Sequence, residues 1–415
     1  MAAGTNATGS GTQMAMREVL AIVPLRKLTA AQLVSLFGDF LAIFAIFSIV
    51  SFRLHGSPAQ VSGIMVAYML PQAFVGPVAG VFADRWNVKT TMIASDLIRA
   101  ALVVPLVYSA SVWQIYAVLV ALSVVSAFFT PAQTIGLRSL VPLEGLMSAN
   151  ALMMQMYQLA QILSPALAAL LIRLIGESAC FWLDSASFLM SAAILSTLPI
   201  GRKAAAASKE FSSVFSELIK GVRFIFTHAT LAFTILSMGA GLFAVRCYSA
   251  LIALYVRDIL HRSTGLFGTL STLVGVGMIA GTQVVTRLAK TRSRERLMMS
   301  GLFLVAGGIL TLAIFGNVPV TVVATLVLGV GVALVIISAQ TLMQGQTPME
   351  MLGRVTSSLM SVLAVAQVFG LVVSGSIAQV IGIRNSYFAT SALLGLIAAA
   401  GWRVVEQRRE RAGSQ

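Results

Sequence analysis

The chain has 415 residues, of which 58% are hydrophobic and only 10% charged, and its formal net charge is +14. A soluble protein of this length needs far more charge on its surface, and a mean hydropathy of +0.92 belongs to a chain whose solvent is lipid. The apolar residues come in runs of about 20, the length that crosses a bilayer as a helix. The short alternating segments of a membrane β-barrel do not occur, so an all-α, polytopic membrane protein is expected.

The first 16 residues are small and polar, with no basic region leading into an apolar core, so no signal peptide is expected. Residues 1–28 read as a cytoplasmic tail. Twelve spans follow, at about 29–52, 58–82, 90–109, 112–136, 145–174, 178–199, 229–256, 264–288, 297–315, 318–343, 353–381 and 385–404. They form two six-helix halves, 29–200 and 229–404. The linker between them, 201–228, carries "GRKAAAASKE" and then "FSSVFSELIKGVRFIF", expected to lie amphipathically on the membrane surface. Residues 405–415 read as a second cytoplasmic tail.

The basic residues decide the orientation. With the N-terminus inside, 21 of the 28 lysines and arginines fall on the cytoplasmic side. Five (Arg53, Arg173, Arg257, Arg262 and Arg384) fall outside, and Arg99 and Arg246 fall within spans. That bias predicts both termini in the cytoplasm of a multi-pass inner-membrane protein. The positive charge therefore marks a membrane face and does not point to nucleic acid. Trp86, Trp113, Trp182 and Trp402 all fall near predicted span ends, as an aromatic belt requires.

An internal repeat runs at an offset of about 206 residues. "VPLEGLMSAN" (141–150) aligns with "TPMEMLGRVT" (347–356), matching Pro142 and Glu144 to Pro348 and Glu350. Gln161 falls on Gln367, Gly176 on Gly382 and Phe181 on Tyr387. Parallel halves of this kind place a binding site near the midplane between them.

The stretch "GPVAGVFADRWNVK" (76–89) closes the second span. Gly76 and Gly80 lie one helical turn apart, a spacing that admits another helix. Asp84, Arg85 and Lys89 follow at the cytoplasmic end. An acid there is suited to a helix N-terminus of the opposite half, and the two bases to lipid phosphates or carboxylates. Gly80, Ala83, Asp84, Arg85 and Lys89 resemble the cytoplasmic signature of the major facilitator superfamily, with Asn87 and Val88 departing from it. The resemblance implies alternating access by two rocking halves, with this motif latching the cytoplasmic side. "LVSLFGDFL" (33–41), "ASDLIRA" (94–100), "FFTPAQ" (128–133), "LVPLEGLMSANAL" (140–152) and "FWLDSASFLMSA" (181–192) further resemble the branch of enterobactin exporters and macrolide-efflux pumps. That implies ion-driven export of an amphiphilic small molecule. Antiporters of the superfamily carry a Gly-Pro motif in the fifth span; here "QILSPALAAL" keeps Pro165 but has Ser164 at the glycine position, so a proline-dependent helix bend is expected.

Ionisable groups within the hydrocarbon are costly and are functional candidates by default. Three of the 14 acids sit inside spans: Asp39, Asp96 and Asp184. Asp39 is near the middle of the first span and Arg246 near the middle of the seventh. They are read as proton-coupling candidates that face each other across the cavity and pair in one state. Asp96 and Arg99 are expected to form a structural charge network with Arg85 or Arg138. Asp184 is read as a polar packing residue or a substrate contact. Asn150, Gln158 and Gln161 fall within about 80° on one face of the fifth span, beside Tyr157; they either line the cavity or bond helices together. Tyr68, Gln72, Phe44, Phe243, Tyr248, Gln340 and Gln344 are further lining candidates.

No Gly-Lys-Ser/Thr phosphate loop, His-Glu-x-x-His helix or nucleophile elbow occurs. Cys180 and Cys247 have neither metal spacing nor a disulfide framework. No enzyme, metal or cofactor is expected. The expected partners are a small amphiphilic substrate, protons and membrane lipids, the chain acting as a monomer. Two rival readings stand beside this one. A lysophospholipid flippase of the same fold is the first, and a non-transporting membrane sensor or scaffold the second; the scaffold has no need of Asp39 and Arg246 at midmembrane.

Overall fold

The computed structural model describes residues 14–83, 85–200 and 223–413. Asp84 and most of the expected surface helix in the linker lie outside the described residues. Among the described residues, twelve helices are long and apolar enough to cross a membrane. They are α1 (Val23–Ser48), α2 (Pro58–Ala83), α3 (Val88–Val103), α4 (Val112–Leu140), α5 (Leu146–Ile175), α6 (Ser178–Ser196), α7 (Ala229–Asp258), α8 (Thr264–Leu288), α9 (Arg294–Ile314), α10 (Val318–Gln346), α11 (Met349–Ile381) and α12 (Ile383–Gly413). Helices that close their own hydrogen bonds are the form a chain this apolar can take in lipid.

Local chemistry sets the ends. Asn87, Ser293 and Asn317 cap α3, α9 and α10 by accepting from Thr90, Arg296 and Val320 N–H. Ser111 and Gln114 form a reciprocal capping box at α4. α1 starts earlier than its apolar run suggests, because Pro24 suits a first helical turn. Its last turn, Ile49–Arg53, is a π-helix. α12 runs on as a helix to Gly413, past the apolar edge near 404.

The repeat read from the sequence is also a repeat in space. Gly176 and Gly382 end α5 and α11 with φ of 89° and 85° and ψ of 170° and 165°, a region open essentially to glycine alone. Ser185 of α6 donates to the Ala100 carbonyl at 2.9 Å, and Ser391 of α12 to the Ala306 carbonyl at 2.7 Å. His55 and His261 both take positive φ, 49° and 50°. In the first half α1 packs on α5 and α6, α3 on α4 and α6, and α2 on α4; the second half repeats each of these pairings six helices later. Between the halves, α5 meets α8 and α2 meets α11, a pairing the same symmetry exchanges.

These contacts concentrate at the face away from the termini. A Cβ on Gly268 of α8 would lie 2.5 Å from Ala169 Cβ and 2.8 Å from the Pro165 carbonyl of α5. Gly375 of α11 lies against Ser62 and Pro58 of α2 in the same way. Phe44 stacks on Phe267 at 4.5 Å between ring centroids, and Ser48 bonds Thr264 at 3.0 Å. Arg257 of α7 donates to the Ser51 and Gly56 carbonyls at 2.5 and 3.3 Å, clasping the π-turn of α1 to the other half. At the opposite face, Gly76, Gly80 and Gly345 have open space where a Cβ would point. The molecule is closed at the loop end and open toward the end carrying its termini.

A side chain at Gly268 cannot coexist with this closure. Spin labels at His55→Cys and His261→Cys, both exposed and on opposite halves, report the gap directly. Gly268→Val is expected to shift their electron-electron distance distribution to longer values; an unchanged distribution would contradict the closure described here.

Candidate functional site

The membrane interior of the first half holds four charged side chains. Asp96 and Arg99, one turn apart on α3, form an ion pair. Asp96 is fully buried and Arg99 is 5% exposed. The guanidinium is held on both sides: its central carbon lies 4.3 Å from the ring centres of Phe129 of α4 and Phe188 of α6. Each such stack, once desolvated, contributes about 2 kcal/mol. Arg99 also acts electrostatically on Asp39 of α1 and Asp184 of α6, and Asp39 and Asp184 act on each other. Gly38 makes the approach of α1 and α6 possible, since a Cβ there would lie 2.6 Å from Asp184 Oδ1. That oxygen has no hydrogen-bond partner among the described residues, and neither do Asp96 Oδ2 and Arg99 Nε. Three carboxylates thus share one guanidinium.

This corrects the expected network. Arg138 is exposed in the last turn of α4, while Asp96 is eight residues, or about 12 Å, into α3; the two are at different depths. Arg85 is exposed. Asp96 and Arg99 pair with each other, with Asp39 and Asp184 in electrostatic reach of the guanidinium. Lys89, expected to meet phosphates or carboxylates, donates to the Leu198 carbonyl at 2.9 Å and ties the start of α3 to the end of α6.

Arg246 of α7 does not pair with Asp39 in this conformation. Its Nε and Nη2 both donate to Gln367 Oε1 of α11, at 2.9 and 2.7 Å. Gly370, one turn on, lets α11 come close, since a Cβ there would lie 3.3 Å from Arg246 Cβ. Tyr157 of α5 is within electrostatic reach of both Asp39 and Arg246. Its ring meets Phe40 edge-on at 5.4 Å. Tyr68 of α2 is half-buried on the other side, in reach of Asp39, Arg99 and Asp184.

The remaining candidates divide by helix face. Asn150, Gln158 and Gln161 are exposed on α5, and Asn150 and Gln161 share the Tyr157 stripe, roughly 100° around the helix from the buried Ala149, Met156 and Ala160. Ser164 is buried and Pro165 lies within α5, where its carbonyl abuts Gly268. Gln72 and Gln340 are half-buried and Gln344 is exposed. Tyr248 is not a lining residue. Two positions beyond Arg246, it is turned about 200° around α7 into the second half, where its hydroxyl meets Thr325 and its carbonyl accepts from Tyr387. The sequence reading did not single out Gln367, Phe129 or Phe188 as functional. Only Gln367 had a signal, its repeat equivalence to Gln161.

Two pseudo-symmetric six-helix halves, with opposed charged groups at midmembrane between them, define the architecture of a secondary transporter. The chain belongs to the Transmembrane secretion effector family of the major facilitator superfamily, whose profile matches residues 19–413. It is 29% identical over 395 residues to the MFS-type transporter YfiS of Bacillus subtilis, covering 93% of this chain and 94% of that one. It is 26% identical to Macrolide efflux protein A of Streptococcus pyogenes, over 83% and 86% of the two chains. Its fold matches a bacterial homolog of the human lysosomal transporter Spinster, solved inward-facing and unoccupied. That match has a TM-score of 0.71 and 13% identity and covers 93% of this chain and 96% of the other. The protein is therefore a membrane transporter of small molecules and not an enzyme.

Removing one member of a buried ion pair strands the other, at a cost of about 3–5 kcal/mol. Arg99→Met, which removes the cation from beside Asp39, Asp96 and Asp184, is expected to lower the thermal midpoint of the purified protein well below that of Asp96→Asn, which leaves two carboxylates in reach of the guanidinium. Equal midpoints for the two variants would count against a structural role for the pair.

Proposed function

We propose that the protein is an exporter of an amphiphilic small molecule driven by inward proton movement, with Asp39 as the residue that exchanges protons. The observation that carries the reading is three carboxylates, Asp96 and Asp184 buried and Asp39 half-buried, around one guanidinium. Full ionisation of Asp39, Asp96 and Asp184 would leave two uncompensated charges in apolar surroundings, each costing several kcal/mol. Asp96 holds the direct ion pair and Asp184 is 2% exposed behind Gly38. Asp39 is the half-buried member of the three, within electrostatic reach of Tyr68 and Tyr157, and so is the one that water and cargo reach. Its proton occupancy answers to whatever charge enters the cavity.

Export is supported by the family and by the efflux proteins among the relatives. Placement in the branch of enterobactin exporters and macrolide pumps rests on the motifs shared across the first half. With the termini in the cytoplasm, as the basic residues predict, the open end described here loads cargo from inside. Gly76, Gly80, Asp84 and Arg85 then close that end when the halves rock the other way. Tyr157, Gln161 and the aromatic rings of Phe40 and Phe243 give the cavity wall an apolar character with few polar anchors, which suits an amphiphile.

Proteoliposomes with an imposed pH gradient test the coupling, using a dye, a macrolide, a catecholate siderophore and a lysolipid as cargo. Wild-type protein is expected to release protons when one of these is added. Asp39→Asn is expected to lose at least 90% of that proton flux while still exchanging labelled for unlabelled cargo. Undiminished proton flux in Asp39→Asn would overturn the assignment.

A further inference from the structure

The first half carries a groove at the end where the termini lie, a cavity of about 650 Å³ between α3, α4 and the turn joining α2 to α3. α3 packs on α4 and α6 of its own half, so its exposed stripe of Thr90, Ala94 and Ile98 is turned to lipid. Along α3 the lining runs from Asn87 to Ile98, a rise of about 16 Å. One leaflet of the hydrocarbon core is about 15 Å deep, half of the full thickness. The groove therefore reaches from the head-group level to the bilayer midplane.

Its mouth is aromatic and basic. Trp86 stacks on Phe128 with ring centroids 5.7 Å apart and meets Phe82 at 5.1 Å, an amphipathic ring where head groups begin. Arg85 lines the same mouth and is exposed. Its side chain makes no hydrogen bond or ion pair among the described residues. Lys89, by contrast, is held by the Leu198 carbonyl. A free guanidinium above an apolar trough one leaflet deep is complementary to a phosphate head with an acyl chain below it.

The second half has a groove of about 710 Å³ at the same place in the repeat. Ser300, Leu304 and Leu334 line it, 206 residues after Ala94, Ile98 and Phe128 of the first groove. Its mouth differs in charge. Arg403 shares that lining with Glu406, which accepts from Trp402 Nε1 at 2.8 Å. An acid in the same lining offsets the base, so this groove lacks the charge that selects an anion.

We infer that the groove of the first half binds an anionic phospholipid of the leaflet on the termini's side, its phosphate held by Arg85 and one acyl chain laid between α3 and α4. The inference depends on neither the cargo nor the proton coupling.

The full-length protein in phosphatidylcholine nanodiscs tests it, with trace phosphatidylglycerol or phosphatidylcholine bearing the same mid-chain diazirine. Crosslinked peptides are mapped by mass spectrometry. Phosphatidylglycerol is expected to label residues 90–98 and 124–128 about fivefold more than phosphatidylcholine, the preference one basic residue near the surface supplies. The groove of the second half is expected to label equally with both. Arg85→Gln is expected to bring phosphatidylglycerol down to the phosphatidylcholine level, with phosphatidylcholine labelling unchanged as a control for folding; Arg85→Lys is expected to keep most of the preference. Ala94→Trp, which fills the groove, is expected to lower labelling by both lipids there and leave the second groove labelled. Asp84, next to Arg85 but outside the described residues, enters as Asp84→Asn, which is expected to preserve the preference. Equal labelling by the two lipids, a preference that survives Arg85→Gln or is lost in Asp84→Asn, the same preference in both grooves, or labelling indifferent to Ala94→Trp would overturn the inference. So would the absence of labelling by either lipid, which would give the groove to another occupant such as the linker 201–222.

Discussion

A guanidinium buried in a membrane protein has to be paid for by its surroundings, and in this chain the solution organises half the molecule. Arg99 lies between the faces of Phe129 and Phe188 and against Asp96. One side chain therefore engages α3, α4 and α6, and through its field α1 as well. Apolar packing alone discriminates poorly among helix arrangements in lipid, because lipid tails compete equally for apolar surface. A desolvated cation between two rings and a carboxylate does discriminate, since any sliding of α4 or α6 uncovers charge. The first half is thereby held as one body, as a rocking mechanism requires.

The second half is built on the same backbone plan with that device removed. At the offset of 206 residues, the positions of Asp96, Arg99, Phe129, Asp184 and Phe188 are taken by Leu302, Val305, Val335, Thr390 and Leu394. Leu302, Val305, Val335 and Leu394 are all buried. Polar order is supplied there by neutral groups instead. Tyr248, Tyr255 and Tyr387 cluster with centroid spacings of 6.4 and 5.7 Å, and their hydroxyls bond Thr325 and backbone carbonyls. Fold and chemistry have separated: the symmetry fixes where helices run, and each half fills the frame differently.

The fold was legible because its causes are local or periodic. Span length, polar span ends and the paired Pro-x-Glu segments are all written in one dimension. The candidate site was legible only in part. Asp39, Asp96, Arg99, Asp184 and Arg246 stand out in any apolar run, but their partners depend on which helices touch. Asp184 meets α1 because Gly38 lets α1 and α6 close together, and nothing in either segment alone announces that contact. Arg246 meets Gln367 because α7 packs on α11. Phe129 and Phe188 read as ordinary span residues until Arg99 is placed between them. Tyr248 illustrates the converse: two residues from a functional arginine is the wrong side of a helix.

The same separation constrains how the halves work against each other. Close contact between them runs through small residues and backbone: Gly268 on Ala169 and the Pro165 carbonyl, Gly375 on Ser62, and Arg257 on the Ser51 and Gly56 carbonyls. Among the described residues none of these contacts locks a buried ion pair across the interface, so parting exchanges hydrogen bonds to hydroxyls and carbonyls and apolar contacts. Such an interface is suited to opening and closing repeatedly. The charged contacts are kept inside each half, Asp96 with Arg99 and Arg246 with Gln367. An Asp39–Arg246 ion pair in every state would clamp the halves. Holding Arg246 on a neutral partner within its own half, and the acids in excess in the first half only, leaves the interface free of that clamp.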